Sequence, residues 1–370
     1  MLNLTIWATR ILIGLVILAT LLPTLPVGFW MVRLCDFPRA QFAAIAVLPL
    51  CGLLVWWRLA GWSWEHTGLL TLCLSSIVWQ LSHIVPYTPV WAKELADAAE
   101  TQQPVLHVAV VNLQYENDKK QEVAKQLEGQ DAELLLLIEV DRAWQQALSD
   151  LEPRYAWRVG VVREQGLGIM LWSKLPLVEP QVQHLVSPQR ASIHTKLTVG
   201  DQQINFVGVH PTPPGLPQEN ESGRHDSRIR DAELMLIADA VAERPTETWV
   251  VTGDFNDVAW SHTTRLFKRI SGLKDPRIGR GLFNTYHAQH PFMRFPIDQV
   301  FMSSDARIHK VDRFRPSGSD HFAIRTSFSL VGDQPAPSRA NGDDLEEAAE
   351  LIVEGSIDAQ QTSSTTNDRD

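Results

Sequence analysis

The sequence predicts an α/β protein of two packed β-sheets flanked by helices, carried behind three membrane-spanning helices. Three observations lead there. Residues 11–32, 40–57 and 66–92 contain no Lys, Arg, Asp or Glu. Beyond them, short apolar β-branched runs recur, some joined by tight turns. Only a few stretches between those runs have helical periodicity.

The chargeless stretches are 22, 18 and 27 residues long, against the ~20 apolar residues a helix needs to cross the hydrocarbon core. Eight of the thirteen tryptophans precede residue 92, and Trp30, Trp56, Trp57, Trp62, Trp64 and Trp91 sit near stretch ends. Amphipathic rings favour that position at the bilayer interface. No small-x-small cleavage site follows the first stretch, so it is not read as a removed leader. His83 reads as a packing or interfacial residue. Residues 1–91 are therefore expected to be a multi-pass membrane anchor, with the lipid bilayer as partner. Arg10 and Arg58 fall on one side, and Arg33, Arg39 and Lys93 on the other. That bias leaves sidedness open, with a cytoplasmic lean for the remainder.

Residues 92–104, bracketed by prolines, read as a linker with at most a short helix. Strands are expected at Val105–Val111, Leu134–Ile138, Ile169–Trp172, Ile193–Val199, Ile204–Val209, Thr248–Val251, Val300–Met302, Ile308–Phe314 and Ala323–Leu330. The run Leu134–Ile138 is apolar throughout, as a strand buried on both faces should be. Gly200-Asp201 makes a hairpin turn. Helices are expected at Lys119–Glu128, Asp226–Ala242 and His262–Ile270. Residues 331–370 carry ten acidic residues against Arg339 and Arg369 and read as an acidic, mostly disordered tail, with at most a transient helix over Leu345–Val353.

Charge narrows the function. The net is +2 for residues 1–91 and −10 for the whole chain, leaving −12 for the rest. The tail takes −8 of that, so residues 92–330 carry only −4. Bulk electrostatic coating of nucleic acid is excluded, but single polyanionic substrates are not. Cys35, Cys51 and Cys73 all precede residue 91, which excludes disulfide frameworks, zinc clusters and thiol catalysis beyond it.

Polar residues cluster at the ends of the apolar runs. Asn112 follows the first strand, Glu139 the second and His210 the fifth; Asp254 and Asn256 follow the sixth in Gly253-Asp254-Phe255-Asn256. Asp298 precedes Val300–Met302, and Asp320-His321 precedes the last strand. Each alone is ordinary turn or capping chemistry. Together, at successive strand ends, they are where α/β sheets hold sites.

In this order, Asn112, Glu139 in LLLLIEV, His210 in FVGVHP, GDFN at 253–256, IDQVF at 297–301 and SDH at 319–321 resemble the endonuclease/exonuclease/phosphatase family over residues 105–330. The anchor resembles a bacterial membrane-bound branch, which implies an inner-membrane location. The resemblance implies a four-layer α/β sandwich (DNase-like) behind the three transmembrane helices. It further implies that Glu139 binds a divalent ion, Mg²⁺ or Mn²⁺, with support from Asn112 and Asp320. Asp254 would position and deprotonate the attacking water, and Asn256 would bind phosphoryl oxygens. Asp298 would orient His321, which polarises the phosphate or acts as base, and His210 would assist the phosphate or leaving group. All-oxygen ligands suit such a hard ion, and phosphoryl transfer needs an activated water and charge neutralisation. Gln299 stands where many relatives carry His and is taken as neutral. Arg224, His225, Arg228 and Arg230 form a candidate anion-binding loop, with Arg224 and Arg228 as candidate substrate-phosphate ligands. Phe283, Tyr286, Phe292 and Phe295 read as core, with room for one to stack on a base at the rim.

The expected function is a membrane-anchored, metal-dependent phosphodiesterase of the nuclease type. A phosphatase or phospholipase-C-like hydrolase of lipid or inositol phosphate headgroups is the close alternative, since tethering concentrates such substrates. A non-catalytic scaffold would lack a metal ligand or the histidine, and none is missing. The expected substrate is thus a phosphodiester or phosphomonoester, with nucleic acid slightly ahead of lipid.

Overall fold

The computed structural model describes residues 2–25, 27–215, 226–332 and 338–367. The chain opens with α1 (Leu2–Leu21), the short α2 (Trp30–Leu34), α3 (Arg39–Ile45) and α4 (Val47–Ala60), which meet at Ala46, and α5 (Trp64–Ile84). Asn3–Thr24, Arg39–Ala60 and Trp64–Tyr87 are long and apolar enough to cross a membrane. The first lies nearer the N-terminus than the chargeless stretch 11–32. Pro23 ends its helix early. Arg10 is absorbed by paired hydrogen bonds to Glu65 of 2.8 and 2.9 Å and by the rings of Trp7 and Trp56. A buried polar relay ties the bundle: Arg39 donates to Gln80 (3.1 Å), and Gln80 to Thr20 (3.0 Å).

The remainder alternates strands and helices. In order they are β1 (Leu106–Asn112), α6 (Lys120–Glu128), β2 (Leu134–Ile138), α7 (Arg142–Ala147), β3 (Trp157–Val161), β4 (Ile169–Ser173), β5 (Val178–Gln183), β6 (Ser192–Val199), β7 (Gln202–Val209), α8 (Arg228–Ala242), β8 (Thr248–Asp254), α9 (His262–Ser271), β9 (Asp298–Met302), β10 (Ala306–Phe314), β11 (Ala323–Leu330) and α10 (Gly342–Asn367). One sheet runs β10-β11-β1-β2-β4-β3 and the other β5-β6-β7-β8-β9. Val108, Val110, Leu134, Leu136, Leu171, Leu197, Ile204, Phe206, Val250 and Val300 join their inner faces in one apolar core. The outer faces are covered by α6 and α7 on one side and by α8 and α9 on the other. This is the four-layer α/β sandwich. β2, with all five residues buried, lies between β1 and β4.

The edge strands β3 and β5 and the short α7 are not evident in the sequence. Trp157 and Val178 stand exposed, and Pro180 sits where the β5–β6 register shifts, so neither strand has clean alternation. The expected linker forms no helix. Leu95 is buried, and Ala98 N–H donates to Ile308 O (2.9 Å) while Ile308 N–H donates to Ala96 O (3.0 Å), extending the β10 edge. The expected disordered tail instead holds α10, packed on α8. Its acids find partners on other elements: Asp344 pairs with Arg269 (2.8 Å) and Asp358 with Arg228 (3.2 Å), and Glu347 lies within hydrogen-bond reach of His262 Nε2. Gly355 permits the close approach, because a Cβ there would meet the Arg228 carbonyl at 2.3 Å.

Gly253 carries the second close approach. Its φ is +150°, and a Cβ would lie 1.9 Å from the Val209 carbonyl in the parallel β7–β8 pair. Gly253→Ala is therefore expected to lower stability by about 2–3 kcal/mol, read as a fall in the melting temperature of the full chain in detergent. An unchanged melting temperature would show that β8 can shift without penalty.

Candidate active site

Parallel pairing of β1 with β2, and of β7 with β8, brings their C-terminal ends to one rim of the sandwich. β9 and β11 run antiparallel to their neighbours and so start at that rim. Asn112, Glu139, His210, Asp254, Asn256, Asp298, Asp320 and His321 therefore converge, whatever their distance along the chain. Glu139 (φ +65°) holds a left-handed backbone conformation that is costly for a residue with a long side chain, and Asn256 (φ +51°) one that asparagine tolerates. Such strain is kept where the surroundings fix a group's direction.

Hydrogen bonds lock the cluster. Asn112 Nδ2 donates to Glu139 Oε1 (3.2 Å) and to Asp254 Oδ2 (3.1 Å). Tyr115 N–H donates to Glu139 Oε2 (3.0 Å), and Asn256 N–H to Asp254 Oδ1 (2.9 Å). His321 Nδ1 lies 2.8 Å from Asp298 Oδ2, while its Nε2 faces Asp254 Oδ2 at 3.8 Å. Ser319 Oγ donates to the Asn112 carbonyl and accepts from His321 N–H, tying β1 to the start of β11. Asn256 Nδ2 donates to Pro211 O (3.0 Å), which leaves a second amide N–H to give.

Burial dominates the electrostatics. It pushes the Asp254 carboxyl up to about 7, with the Asp298 charge adding to the rise and His321 opposing it. Burial also raises Glu139, against the hydrogen bond from Tyr115. For His321 burial alone acts downward, but the charge and hydrogen bond of Asp298, with Asp254 and Asp320, hold it up at about 10. At neutral pH the site thus sets an imidazolium beside a carboxylate poised to exchange a proton.

The donor set fits a hard divalent ion. Asp254, Asp298 and His321 bring ligand atoms within 4.8 Å of one another, and Asp298 Oδ1 is buried without a hydrogen-bond partner. His321, however, spends Nδ1 on Asp298 and as an imidazolium has no lone pair to offer. Glu139, half-buried and raised by desolvation, accepts from Asn112 and from Tyr115 N–H and makes no ion pair with a basic side chain among the described residues. The carboxylates rather than the imidazole are thus the groups suited to holding the ion.

Arg190, Gln114 and Thr285, not singled out in the sequence, complete the site together with Tyr286, which the sequence marks only as a core or rim aromatic. Arg190, buried ahead of β6, sets Nη1 3.0 Å from His210 Nδ1 and donates to Gly166 O. Gln114 accepts from Asp320 N–H (3.0 Å), and the Tyr286 ring lies 5.0 Å from that of His321. Thr285 Oγ1 accepts from Asp298 N–H (3.1 Å). No local motif marks any of them. Gln299 is structural: its amide donates to Asp257 O and Pro296 O, and its carbonyl accepts from Arg277.

The candidate phosphate ligands fare differently. Arg224, like His225, lies outside the described residues. Arg228 is not brought into the cluster, because Asp226 (2.9 Å) and Asp358 (3.2 Å) hold it against α10. Arg230 is buried, pairs with Asp231 (2.7 Å) and donates to Asn256 O (2.8 Å), buttressing the GDFN turn. Phe292, expected in the core, is 88% exposed.

The sequence model of the endonuclease/exonuclease/phosphatase family matches residues 109–321. No curated protein matches the chain. Among solved structures it is similar to D. rerio TDP2 complexed with single strand DNA product, at 14% identity and a TM-score of 0.50, covering 62% of this chain and 100% of that one. It is also similar to an endonuclease/exonuclease/phosphatase from Bacteroides vulgatus, at 17% identity and a TM-score of 0.48, covering 62% and 100%. A third is sphingomyelinase C from Streptomyces griseocarneus, at 16% identity and a TM-score of 0.44, covering 61% and 99%. Likeness at these identities concerns the fold.

Proposed function

Because this chain belongs to the endonuclease/exonuclease/phosphatase family, we propose that it is a membrane-anchored hydrolase of phosphoesters that works with Mg²⁺ or Mn²⁺. The observation that carries this reading is the convergence at one rim of Asn112, hydrogen-bonded to Glu139 (3.2 Å) and Asp254 (3.1 Å), and of the Asp298–His321 pair (2.8 Å), whose His321 Nε2 faces Asp254 at 3.8 Å. The apolar helices at 3–24, 39–60 and 64–87 supply the anchor.

Asp254, raised to about 7, takes the proton of the attacking water. Asn256 gives its remaining amide N–H to a phosphoryl oxygen, and the His321 imidazolium, oriented by Asp298, neutralises charge that grows on the phosphoryl group. As the ester P–O bond breaks, solvent water protonates the departing oxygen, and His210, whose ring nitrogen accepts from the Arg190 guanidinium, gives its remaining N–H to a phosphate oxygen. Glu139, with Asn112 and Asp320, would hold the divalent ion. That ion, when bound, supplies Lewis-acid polarisation of the phosphate.

Hydrolysis of bis(p-nitrophenyl) phosphate by the full chain in detergent tests the reading. Turnover should vanish with EDTA and return with Mg²⁺ or Mn²⁺. Glu139→Gln should raise the metal concentration for half-maximal rate about 10–100-fold. A metal titration unchanged in Glu139→Gln would remove that residue from ion binding. Turnover indifferent to EDTA would remove the metal from the reaction.

A further inference from the structure

The rim that carries the site is also the rim that docks on the apolar helices. Four residues beyond Asp254, the segment Val258–Trp260 enters a buried cluster with Tyr87, Phe295 and Ile297, flanked by Phe37 and Ile278. Tyr87 donates to Ala259 O (2.9 Å), Trp260 Nε1 to Asp36 O (2.8 Å) and Gly279 N–H to Pro86 O (2.9 Å). Ser227 N–H, at the start of α8, donates to Gly28 O (2.8 Å). The segment leading to Asp298 does the same: Phe295 meets Phe37 edge-on at 5.4 Å, and Gln41 donates to Phe292 O (2.7 Å). Phe295 also pairs through its backbone with Tyr286, whose ring rests on His321.

The helix ends used here are the link between the first two spans and the exit of the third. Alternation of the spans places both on one side of the bilayer, at headgroup height, where Trp30, Tyr87 and Trp91 also fall. The catalytic rim is thus fixed against the membrane surface by a packed interface rather than hung from a flexible linker. A tether that only localised an enzyme acting on soluble polymers would require no such docking.

The mouth has the chemistry of a lipid contact. Phe292 is 88% exposed and Met293 58%, on the loop bonded to Gln41 near the start of the second span. At that height the bilayer interface is the medium that can bury them. Beside them Arg294 and Arg313 flank the Phe322 ring at 5.1 and 4.3 Å, next to His321. Apolar tip and cationic rim together match the boundary between acyl chains and phosphate.

We infer that the substrate is a phospholipid of the same bilayer, its headgroup phosphate passing Phe292–Met293 and Arg294 to reach Asp254 and His321. The inference rests on the phosphoesterase reading above. Water adds to phosphorus and gives a proton to Asp254, one P–O ester bond breaks, and the departing oxygen takes a proton from solvent and leaves as an alcohol, after which Asp254 returns its proton to solvent.

The full chain, reconstituted with Mg²⁺ in vesicles of phosphatidylethanolamine and phosphatidylglycerol, is offered three substrates: the vesicle lipid, bis(p-nitrophenyl) phosphate, and single- and double-stranded DNA. The lipid should be cleaved, and faster than DNA. The double variant F292S/M293S should lose lipid turnover at least about tenfold more than turnover of the soluble diester. Cleavage of DNA or the soluble diester with intact lipid would overturn the lipid assignment alone. Equal losses on both substrates in F292S/M293S would overturn the role of the tip. Failure on all three substrates would remove the phosphoesterase reading itself.

Discussion

Asp254→Asn is expected to lower kcat by about 10³–10⁴-fold while making the metal-free protein more stable at pH 8, by about 1–3 kcal/mol. Asparagine keeps the shape and can still accept from Asn256 N–H, now 2.9 Å from Asp254 Oδ1, but it cannot take a proton from water. The stability gain follows from the raised carboxyl. In the unfolded chain the group loses its proton near its ordinary value of 3.8, whereas in the fold it holds it to about 7. The unfolded state therefore binds fewer protons across that window, and folding stability falls as pH rises through it. Asparagine has no such charge to bury. Against the gain stands one lost acceptor for Asn112 Nδ2, worth about 1 kcal/mol. Melting curves in EDTA should show the variant ahead at pH 8 and behind, by about 1 kcal/mol, at pH 4. A kcat within tenfold of the parent would end the assignment of Asp254 as base, whatever the melting curves show.

That pairing of lost turnover with gained stability also indicates which parts of the site could be read from the chain. Asn112, Glu139, His210, Asp254, Asp298 and His321 were legible because strands end abruptly: an apolar run stops and a chemically active side chain begins. The two-sheet core was legible for the same reason, since Leu134–Ile138 has no polar face to turn outward. Arg190 was not, because its meaning depends on β6 and β7 lying side by side, which sets it against His210. Arg228 and Arg230 misled in the opposite direction. Arginines before a helix read as anion ligands until Asp358 and Asp231 are folded onto them. The tail failed likewise. Composition sees acids, but not the distant Arg269 and Arg228 that neutralise them along α10. Local pattern thus reports strands and their ends well, and reports charge pairing across the chain poorly.

Glu233 on α8 makes the second large prediction. It is buried along with Ile229, Arg230, Ala232, Leu234 and Ile237 of the same helix. Neither of its carboxyl oxygens has a hydrogen-bond partner among the described residues. Burial pushes the group up to about 8, eased only by the charge of Arg190. From its ordinary value of 4.5 up to about 8, the unfolded chain has released this proton and the fold has not. Stability contributed by the neutral acid is complete below that window and is lost progressively as pH rises through it. Over that whole rise the loss amounts to roughly 4–5 kcal/mol. Glu233→Gln keeps the volume and stays neutral throughout. The variant should therefore melt together with the parent at pH 4, pull ahead steadily through pH 6 and 7, and reach a constant lead above pH 8. A lead that does not change with pH would mean that Glu233 is already ionised in the fold. Its carboxylate would then be held by the charge of Arg190, the same guanidinium that sits against His210.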